Sequence, residues 1–163
     1  MIQLLILDVD GTLTKGAITY TVNGDEIKSF DVKDGLAISS WIKLGFDIAI
    51  VTGRDSAIVK RRAEELGVKY IFQGIKDKYS LLLGICEDFG LGFDDIAAMG
   101  DDLNDLKMLK SVGKSFAPAD AYAYVKENVN VVTMAKGGEG AAREAIEILL
   151  KENGAMSRYI EMW

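Results

Sequence analysis

The chain has 163 residues, of which 49% are hydrophobic and 27% charged, and its 25 acidic and 19 basic side chains give a net charge of −6. These proportions exclude a disordered chain and predict one domain over residues 1–163, and the charge argues against nucleic-acid or anionic-membrane binding because phosphates repel it. The chain has no histidine, which excludes serine–histidine triads and histidine-ligated zinc and leaves carboxylates, lysines, hydroxyls or a hard metal for catalysis.

Short apolar runs alternate with segments of helical spacing along the chain. The apolar run 2–9 predicts a strand buried on both faces. Residues 14–30 alternate in polarity around Asn23-Gly24, a type I′ turn signal, and predict a β-hairpin. The further predicted elements are a helix over 34–44, a strand over 46–51, a helix over 56–66, a strand over 70–72, a helix over 78–89, a strand over 96–99, a helix over 103–109, a strand over 115–117, a helix over 121–126, a strand over 129–132 and a closing helix over 141–151.

This alternation predicts the fold class. Strands that alternate with helices of this size indicate βαβ units, which build a mainly parallel sheet with helices on both faces. We therefore expect a three-layer α/β/α domain. In such sheets, ligands bind beyond the carboxyl ends of the strands. The residues that directly follow each predicted strand are therefore the candidates for function.

Two carboxylates, Asp8 and Asp10, follow the first apolar run within Asp8-Val9-Asp10-Gly11-Thr12. Because side chains alternate along a strand, residues two apart point the same way. A solvated Asp-Gly turn is the alternative explanation. An otherwise apolar strand offers no packing reason for either carboxylate, which favours a functional role.

Polar residues also follow three later strands. Thr52-Gly53-Arg54 supplies a hydroxyl and a guanidinium, which suit either a helix N-cap or a bound anion. Lys78 follows the strand 70–72, where a solvated lysine is also common. The stretch from Gly100 to Asp105 holds three aspartates, which repel one another unless a cation lies among them. Capping of the next helix explains one or two of these aspartates, but not the whole set.

Taken in order, Asp-x-Asp-Gly-Thr, Thr-Gly, Lys and Gly-Asp-Asp-x-x-Asp resemble the four motifs of the haloacid dehalogenase superfamily of phosphohydrolases. The resemblance spans nearly the whole chain and implies a Rossmann-like fold, Mg²⁺ and an aspartyl-phosphate intermediate. It implies that Asp8 is the nucleophile and Asp10 the general acid and base. The other implied roles are phosphoryl binding by Thr52, charge balance by Lys78, metal ligation by Asp8, Asp10 (through its carbonyl) and Asp101, and support around the metal by Asp102, Asn104 and Asp105.

Cap domains of this superfamily lie between its first three motifs, which are separated here by 44 and 26 residues. Both gaps are too short for a cap once the helices are counted, so we expect a capless protein. The first gap contains the hairpin, over residues 16–31. It either folds as a flap over its own sheet or pairs with neighbouring copies and closes their sites. We expect the second, because isolated hairpins are poorly stable.

Residues 20–35, 52–56 and 137–144 are further similar to 3-deoxy-D-manno-octulosonate 8-phosphate phosphatases. This resemblance implies a sugar acid phosphate substrate and a homotetramer in which neighbouring subunits complete each active site. The substrate contacts that it implies are Asp10, Asp31, Val32, Lys33, Asp34, Gly35, Gly53, Arg54, Arg62 and Lys78. Arg54 and Arg62 are eight residues apart, about two helical turns, and are predicted to share one helix face. We expect Lys33, Arg54, Arg62 and Lys78 to make the pocket locally basic, as an anionic substrate requires.

Other residues point to a different substrate, so the sequence does not decide between an eight-carbon and a nine-carbon sugar acid. Ser39 stands where the subfamily usually has a basic residue, and residues 58–74 and 117–119 are closer to phosphatases of nine-carbon, sialic-acid-type 9-phosphates. Those relatives tend to have Glu in place of Arg54, which favours the eight-carbon substrate. A phosphomutase would need a mobile cap, and an inactive binding module would be expected to have lost part of the catalytic set. The pathway, lipopolysaccharide or capsule sugar, also stays open.

The remaining features predict no separate site. Gly113-Lys114-Ser115 lacks the earlier glycine of a phosphate-binding loop, since Met108 stands in that place. Gly137-Gly138 predicts a tight turn, and Cys86 a core position. The tail 154–163 is expected to fray, with docking on a partner subunit as the alternative. A single cysteine, no signal-peptide pattern and no long apolar run predict a cytoplasmic protein.

Overall fold

The computed structural model describes residues 1–163. Its elements, in chain order, are β1 (Leu4–Leu7), β2 (Thr19–Tyr20), β3 (Glu26–Ile27), α1 (Val32–Lys43), β4 (Asp47–Val51), α2 (Ala57–Glu65), β5 (Tyr70–Phe72), α3 (Lys78–Phe89), β6 (Ile96–Met99), α4 (Leu106–Leu109), β7 (Lys114–Ala117), α5 (Ala123–Lys126), β8 (Val131–Val132), α6 (Ala141–Glu152) and α7 (Met156–Glu161). None of these helices is long and apolar enough to cross a membrane.

Six of the strands form one parallel sheet in the order β5-β4-β1-β6-β7-β8. β1 is central, with Leu4 opposite Asp47 of β4 and Ile96 of β6. All residues of β1 are buried, as an apolar strand covered on both faces requires. Because the strands are parallel, their carboxyl ends lie along one edge, where the polar motifs come together. The predicted parallel α/β fold is confirmed.

Helices cover both faces of the sheet and create two hydrophobic cores. Side chains alternate across β1, so that Leu5 enters one core and Ile6 the other. The first core includes residues of α1, α2, α6 and α7, and the second those of α3, α4 and α5. Trp41 is buried in the first core and donates from its indole nitrogen to the Asp47 carbonyl at 2.9 Å. Half-buried Cys86 packs against the second core, as predicted.

The predicted hairpin is present, but its turn differs from the prediction. β2 and β3 pair over two residues each. The Thr21 N–H donates to the Asp25 carbonyl at 2.8 Å, so the loop between them has three residues and not the two of a type I′ hairpin. A type I′ turn needs positive φ at both Asn23 and Gly24, and here only the glycine has it, with φ 87°. The longer loop places the left-handed conformation on glycine alone, where no Cβ opposes it.

The C-terminal tail is helical, and the expectation that it frays is wrong. Tyr159 of α7 is buried in the first core. The Arg158 guanidinium donates to the Leu44 carbonyl at 3.1 Å, which satisfies an acceptor at the end of α1. A short helix has little stability alone, and these two contacts supply the tertiary support.

The helix predicted over 103–109 begins only at Leu106. Asp105 turns its carboxylate back to the N–H groups of Asp101 and Asp102, at 3.0 and 3.3 Å. An aspartate that binds nearby backbone N–H groups competes with helix formation. The residues between β6 and α4 therefore form a turn, and this turn belongs to the site described next.

Candidate active site

The loop that follows β1 carries Asp8 and Asp10 and is held in a tight bend. The Thr14 hydroxyl accepts from the N–H groups of Gly11 and Gly16, each at 3.2 Å. Gly11 has φ 93°, and a Cβ there would lie 2.1 Å from Oδ2 of Asp101. Glycine is therefore required twice at this position, for its backbone conformation and for the close approach of the second carboxylate loop.

Lys78 joins the two carboxylate loops. It is the first residue of α3, its side chain is only 1% exposed, and its ammonium donates to Asp8 at 2.6 Å and to Asp105 at 2.5 Å. Asp105 is itself fully buried, and its second oxygen accepts the backbone N–H groups described above. Burial lowers the pKa of Lys78, but the charges of Asp8 and Asp105 outweigh it and the net direction is upward. The lysine is therefore a permanent cation between two strand ends.

Asp8, Asp101 and Asp105 form a carboxylate cluster in which one oxygen of each lies within 4.8 Å of the others. Burial, and then the charge of Asp105, raise the pKa of Asp8 to about 8 even though Lys78 opposes them. Burial and the same neighbour raise the pKa of Asp101 to about 6. Both raised pKa values mean that the buried, ionised carboxylates lack enough positive charge near them, and a bound cation would supply it.

The donor set of this cluster fits a hard divalent cation. Carboxylate oxygens without imidazole or thiolate are what Mg²⁺ prefers. Lys78 and two backbone N–H groups engage both oxygens of Asp105, whereas Lys78 engages only one oxygen of Asp8, so Asp8 and Asp101 have oxygens left to hold the ion. The Asp10 carboxylate, in contrast, lies outside the cluster. Any part that Asp10 takes in metal binding would involve its carbonyl, as the superfamily resemblance implies.

The pocket beside the cluster has a volume of about 230 Å³ and no hydrophobic lining residue. Its lining residues are Asp8, Asp10, Thr52, Gly53, Arg54, Asp101, Asp102 and Asn104. They come from the loops after three neighbouring strands, β4, β1 and β6. The structure thus brings most of the predicted catalytic and metal-binding residues to one pocket, with Lys78 and Asp105 buried behind Asp8.

Lys28 belongs to this region and was not predicted from the sequence. Its side chain, 1% exposed, leaves the hairpin after β3, and its ammonium donates to Asp10 and lies 2.8 Å from Glu26. Burial lowers the pKa of Lys28, but its hydrogen bond to Asp10 and its ion pair with Glu26 outweigh that effect and raise it. The only signal in the sequence is a lone lysine in a hairpin, which no spacing rule connects with Asp10.

A second contact also joins the hairpin to its own pocket. The Arg54 guanidinium donates to the Tyr20 hydroxyl at 3.1 Å and lies 3.7 Å from Glu26. Together with Lys28, these contacts make the hairpin a flap at the rim of its own site, although pairing with neighbouring copies was expected. Pairing of the hairpin with a neighbouring copy stays a prediction.

Several predicted substrate contacts lie elsewhere in this chain. Asp31 caps α1 by accepting the N–H groups of Lys33 and Asp34, at 2.7 and 3.1 Å. Asp34 is 2% exposed and its Oδ1 accepts the Arg143 N–H at 2.9 Å. Within one chain, Asp34 does not line the pocket, because its carboxylate is buried against α6, and its contact with substrate stays a prediction.

The prediction that Arg54 and Arg62 share a helix face is also wrong. α2 begins at Ala57, so Arg54 lies in the preceding loop, where helical spacing does not apply. The Arg62 guanidinium instead packs beside Gly35, where a Cβ would lie 2.3 Å from it, and over the Phe30 ring at 6.0 Å. The remaining predicted contacts, Val32 and Lys33, are exposed on the first turn of α1. Arg54 is therefore the basic residue that lines the pocket, and Lys28 and Lys78 bind its carboxylates Asp10 and Asp8, whereas Lys33 and Arg62 do neither.

Comparison with known proteins agrees with this geometry. A family model for haloacid dehalogenase-like hydrolases matches residues 71–144. The 3-deoxy-D-manno-octulosonate 8-phosphate phosphatase of Haemophilus influenzae is 40% identical over 156 residues, which cover 96% of this chain and 87% of that protein. The chain belongs to this phosphatase family. It is accordingly a phosphoric monoester hydrolase with the haloacid dehalogenase fold, as predicted.

Solved structures of this phosphatase family have the same fold. The enzyme of Moraxella catarrhalis, in complex with a magnesium ion, a phosphate ion and KDO, has a TM-score of 0.96 and 38% identity over 99% of this chain and 92% of that one. The cobalt-bound form of the Haemophilus influenzae enzyme has a TM-score of 0.91 and 40% identity over 96% of this chain and 91% of that one.

In this phosphatase, the predicted tight turn at Gly137-Gly138 also supports the loop after β1. The Gly138 N–H donates to the Thr12 carbonyl at 3.0 Å. A Cβ on Gly137 would lie 1.9 Å from the Gly11 carbonyl oxygen. The two backbones can meet at this distance only because no side chain separates them. The sequence signal was present in the paired glycines, but it did not identify the loop against which they pack.

Proposed function

We propose that this protein is a Mg²⁺-dependent phosphatase that hydrolyses 3-deoxy-D-manno-octulosonate 8-phosphate to KDO and phosphate. The observation that carries the proposal is one polar pocket lined by Asp8, Asp10, Arg54 and Asp101, with Lys78 bound to Asp8 from its buried side. The names of the family members cited above support the substrate, and the complex of the Moraxella catarrhalis enzyme supports the metal.

The proposed reaction has two steps. In the first, an Asp8 oxygen attacks phosphorus, the bond between phosphorus and the sugar oxygen breaks, and Asp10 gives its proton to that oxygen. In the second, water attacks the aspartyl-phosphate, the bond between phosphorus and Asp8 breaks, and Asp10 takes the proton of the water. Phosphate leaves, and both aspartates return to their starting state.

The surrounding groups stabilise charge during these steps. Lys78, hydrogen-bonded to Asp8, favours the ionised form of the nucleophile and opposes the effect of burial on its pKa. Thr52 lines the pocket, and its hydroxyl would donate to a phosphoryl oxygen. Mg²⁺ held by Asp8 and Asp101 would neutralise charge on the phosphoryl oxygens. Asp102, Asn104 and Asp105 would support the loop that carries Asp101.

Arg54 is the residue that we propose for recognition of the eight-carbon sugar acid. It lines the pocket, and a guanidinium can bind a carboxylate through two parallel hydrogen bonds. Ser39, which stands where the subfamily usually has a basic residue, is weaker evidence about the substrate. Its hydroxyl donates to the Leu66 carbonyl at 3.1 Å and joins α1 to the end of α2. Its contact is structural within this chain, and the pocket does not include it.

We further propose a cytoplasmic, single-domain subunit that assembles as a homotetramer through the hairpin. Ile18, Tyr20 and Ile27 are exposed on the hairpin, and Val22 at its loop is fully exposed. A second copy that covers this apolar surface would explain its exposure. It would also give surface residues such as Lys33 a route to the substrate of a neighbour. A stable monomer in light scattering would remove this part of the proposal.

Phosphate release over a panel of sugar acid phosphates tests the function. With Mg²⁺, we expect turnover of the eight-carbon 8-phosphate, a loss on the order of 10³-fold in Asp8→Asn, and loss of activity when EDTA removes the metal. Asp47→Asn is the matched control, since Asp47 is exposed at the opposite end of the sheet. Equal turnover by Asp8→Asn would refute the mechanism. Preference for a nine-carbon 9-phosphate would refute the substrate and leave the mechanism intact.

A further inference from the structure

Lys28 occupies a position that packing does not explain. The hairpin that carries it exposes its apolar residues, yet the lysine side chain is 1% exposed and lies between two carboxylates. A lysine on an exposed hairpin would ordinarily place its ammonium in water. Here the ammonium turns inward and donates to Oδ1 of Asp10, a residue of the catalytic pocket.

We propose that Lys28 is a positioning residue for proton transfer by Asp10. The inference rests on the proposed function, in which Asp10 protonates the leaving oxygen. In a protonated carboxyl group, the oxygen that accepts a hydrogen bond from an ammonium is the carbonyl oxygen, so the proton resides on the other one. Lys28 on Oδ1 therefore assigns the proton to Oδ2 and stops rotation of the carboxyl group, which fixes the direction in which Asp10 donates.

Glu26 keeps this lysine directed at Asp10. It lies 2.8 Å from the Lys28 ammonium and 3.7 Å from the Arg54 guanidinium. While Asp10 is ionised, the two carboxylates balance the two cations, and once Asp10 is protonated the charge of Glu26 still holds Lys28 in place. Glu26 and Lys28 both lie on the hairpin, and its Tyr20 accepts a hydrogen bond from Arg54. The orientation of Asp10 is thereby coupled to the hairpin.

A comparison of two leaving groups distinguishes the positioning of Asp10 from other roles of Lys28. A sugar alkoxide needs a proton as its bond to phosphorus breaks, whereas p-nitrophenolate leaves as a stable anion without one. A defect in proton donation therefore slows phosphoryl transfer from the sugar phosphate and spares that from p-nitrophenyl phosphate. A defect in folding, metal binding or nucleophilic attack slows both.

The experiment measures single-turnover phosphoryl transfer from both substrates in saturating Mg²⁺. For Lys28→Met we expect a loss on the order of 10- to 100-fold with the sugar acid 8-phosphate and of less than about 3-fold with p-nitrophenyl phosphate. Lys28→Arg, which keeps a charged donor, should recover part of the loss. Lys114→Met is the matched control, because Lys114 is paired with Glu152 at 2.7 Å outside the pocket, and it should behave as wild type.

Equal losses with the two substrates, or no loss with either, would overturn the proposal. Should Lys28→Met not fold, Glu26→Gln removes the charge of the second partner of the lysine, and at saturating substrate, where its contact with Arg54 no longer affects binding, it should give a smaller loss that is again confined to the sugar phosphate. Failure of the proposed function has a different signature, namely wild-type turnover of p-nitrophenyl phosphate without turnover of any sugar acid phosphate. The comparison would then use an alkyl phosphate that the wild type does hydrolyse.

Discussion

Asp34 of α1 caps α6, a helix more than a hundred residues further along the chain. Its Oδ1 accepts the Arg143 N–H at 2.9 Å, in the first turn of α6. The residue at the N-cap of α6 is Gly140, which has no side chain to offer. A carboxylate at a helix N-terminus satisfies a free N–H group and interacts favourably with the helix dipole. The contact therefore joins the first and last long helices of one face of the sheet.

Removal of this cap should destabilise the fold. Asp34→Ala leaves the Arg143 N–H without its acceptor in a buried place, and we expect the free energy of unfolding to fall by about 1–3 kcal/mol. Urea denaturation followed by circular dichroism measures the change. Asp34→Asn keeps an oxygen acceptor and should lose less. Equal stability of Asp34→Ala and wild type would show that the cap does not contribute.

Stability should also depend on pH through the ionisation of Asp34. Burial raises the pKa of Asp34 from 3.8 to about 6, with the nearby Asp31 charge adding to it and the Arg143 and Gly140 N–H groups opposing it. The folded state therefore binds this proton more tightly than the unfolded state, and the contribution of Asp34 to stability falls as pH rises from about 4 to about 6. The whole change amounts to at most about 3 kcal/mol.

The difference in unfolding free energy between wild type and Asp34→Asn, measured in EDTA from pH 4 to pH 8, isolates this titration from those of Asp8 and Asp101. The unfolding free energy of the wild type should fall relative to that of the variant up to about pH 6, and the difference should stay constant above it. A difference that does not change with pH would contradict the raised pKa.

Lys78→Met should make the fold depend on a divalent cation. The substitution leaves Asp8 and Asp105 buried without the ammonium between them, and breaking a buried ion pair costs about 3–5 kcal/mol. A cation near these carboxylates would offset part of that loss, so Mg²⁺ should raise the melting temperature of the variant more than that of wild type. The exposed Lys114–Glu152 pair provides the control, since Lys114→Met should lose no more than about 1 kcal/mol. An equal rise in melting temperature of wild type and Lys78→Met on addition of Mg²⁺ would contradict this prediction.

Two glycine substitutions should have opposite effects. A Cβ on Gly137 would lie 1.9 Å from the Gly11 carbonyl, so Gly137→Ala should shift the catalytic loop, lower stability by more than about 2 kcal/mol and reduce turnover. Gly84, within α3, has no atom within 4 Å of its would-be Cβ. Gly84→Ala should raise stability by about 0.5–1 kcal/mol and leave turnover unchanged. Thermal melts and phosphate release on the same preparations test both, and an active, stable Gly137→Ala would contradict the contact.

Local signals account for the elements that the sequence predicts well. The helix over Lys78–Phe89 matches its prediction at both ends, because Asp77 caps its start and Gly90 adopts the left-handed conformation at its end. Predictions failed where a tertiary contact outweighs the local preference. Asp105 holds the start of the predicted fourth helix in a turn, and the burial of Tyr159 keeps the tail helical.

By itself, the sequence determined the parallel sheet and the polar residues that meet at its carboxyl edge, because short apolar runs dictate buried strands and the ends of parallel strands share one edge. Only the tertiary structure decided which charges meet. Lys28 reaches Asp10, Lys78 joins Asp8 to Asp105, and Asp34 turns away from the pocket to α6. Ion pairing and burial depend on distances between segments far apart in the chain, and no spacing of residues along the sequence encodes those distances.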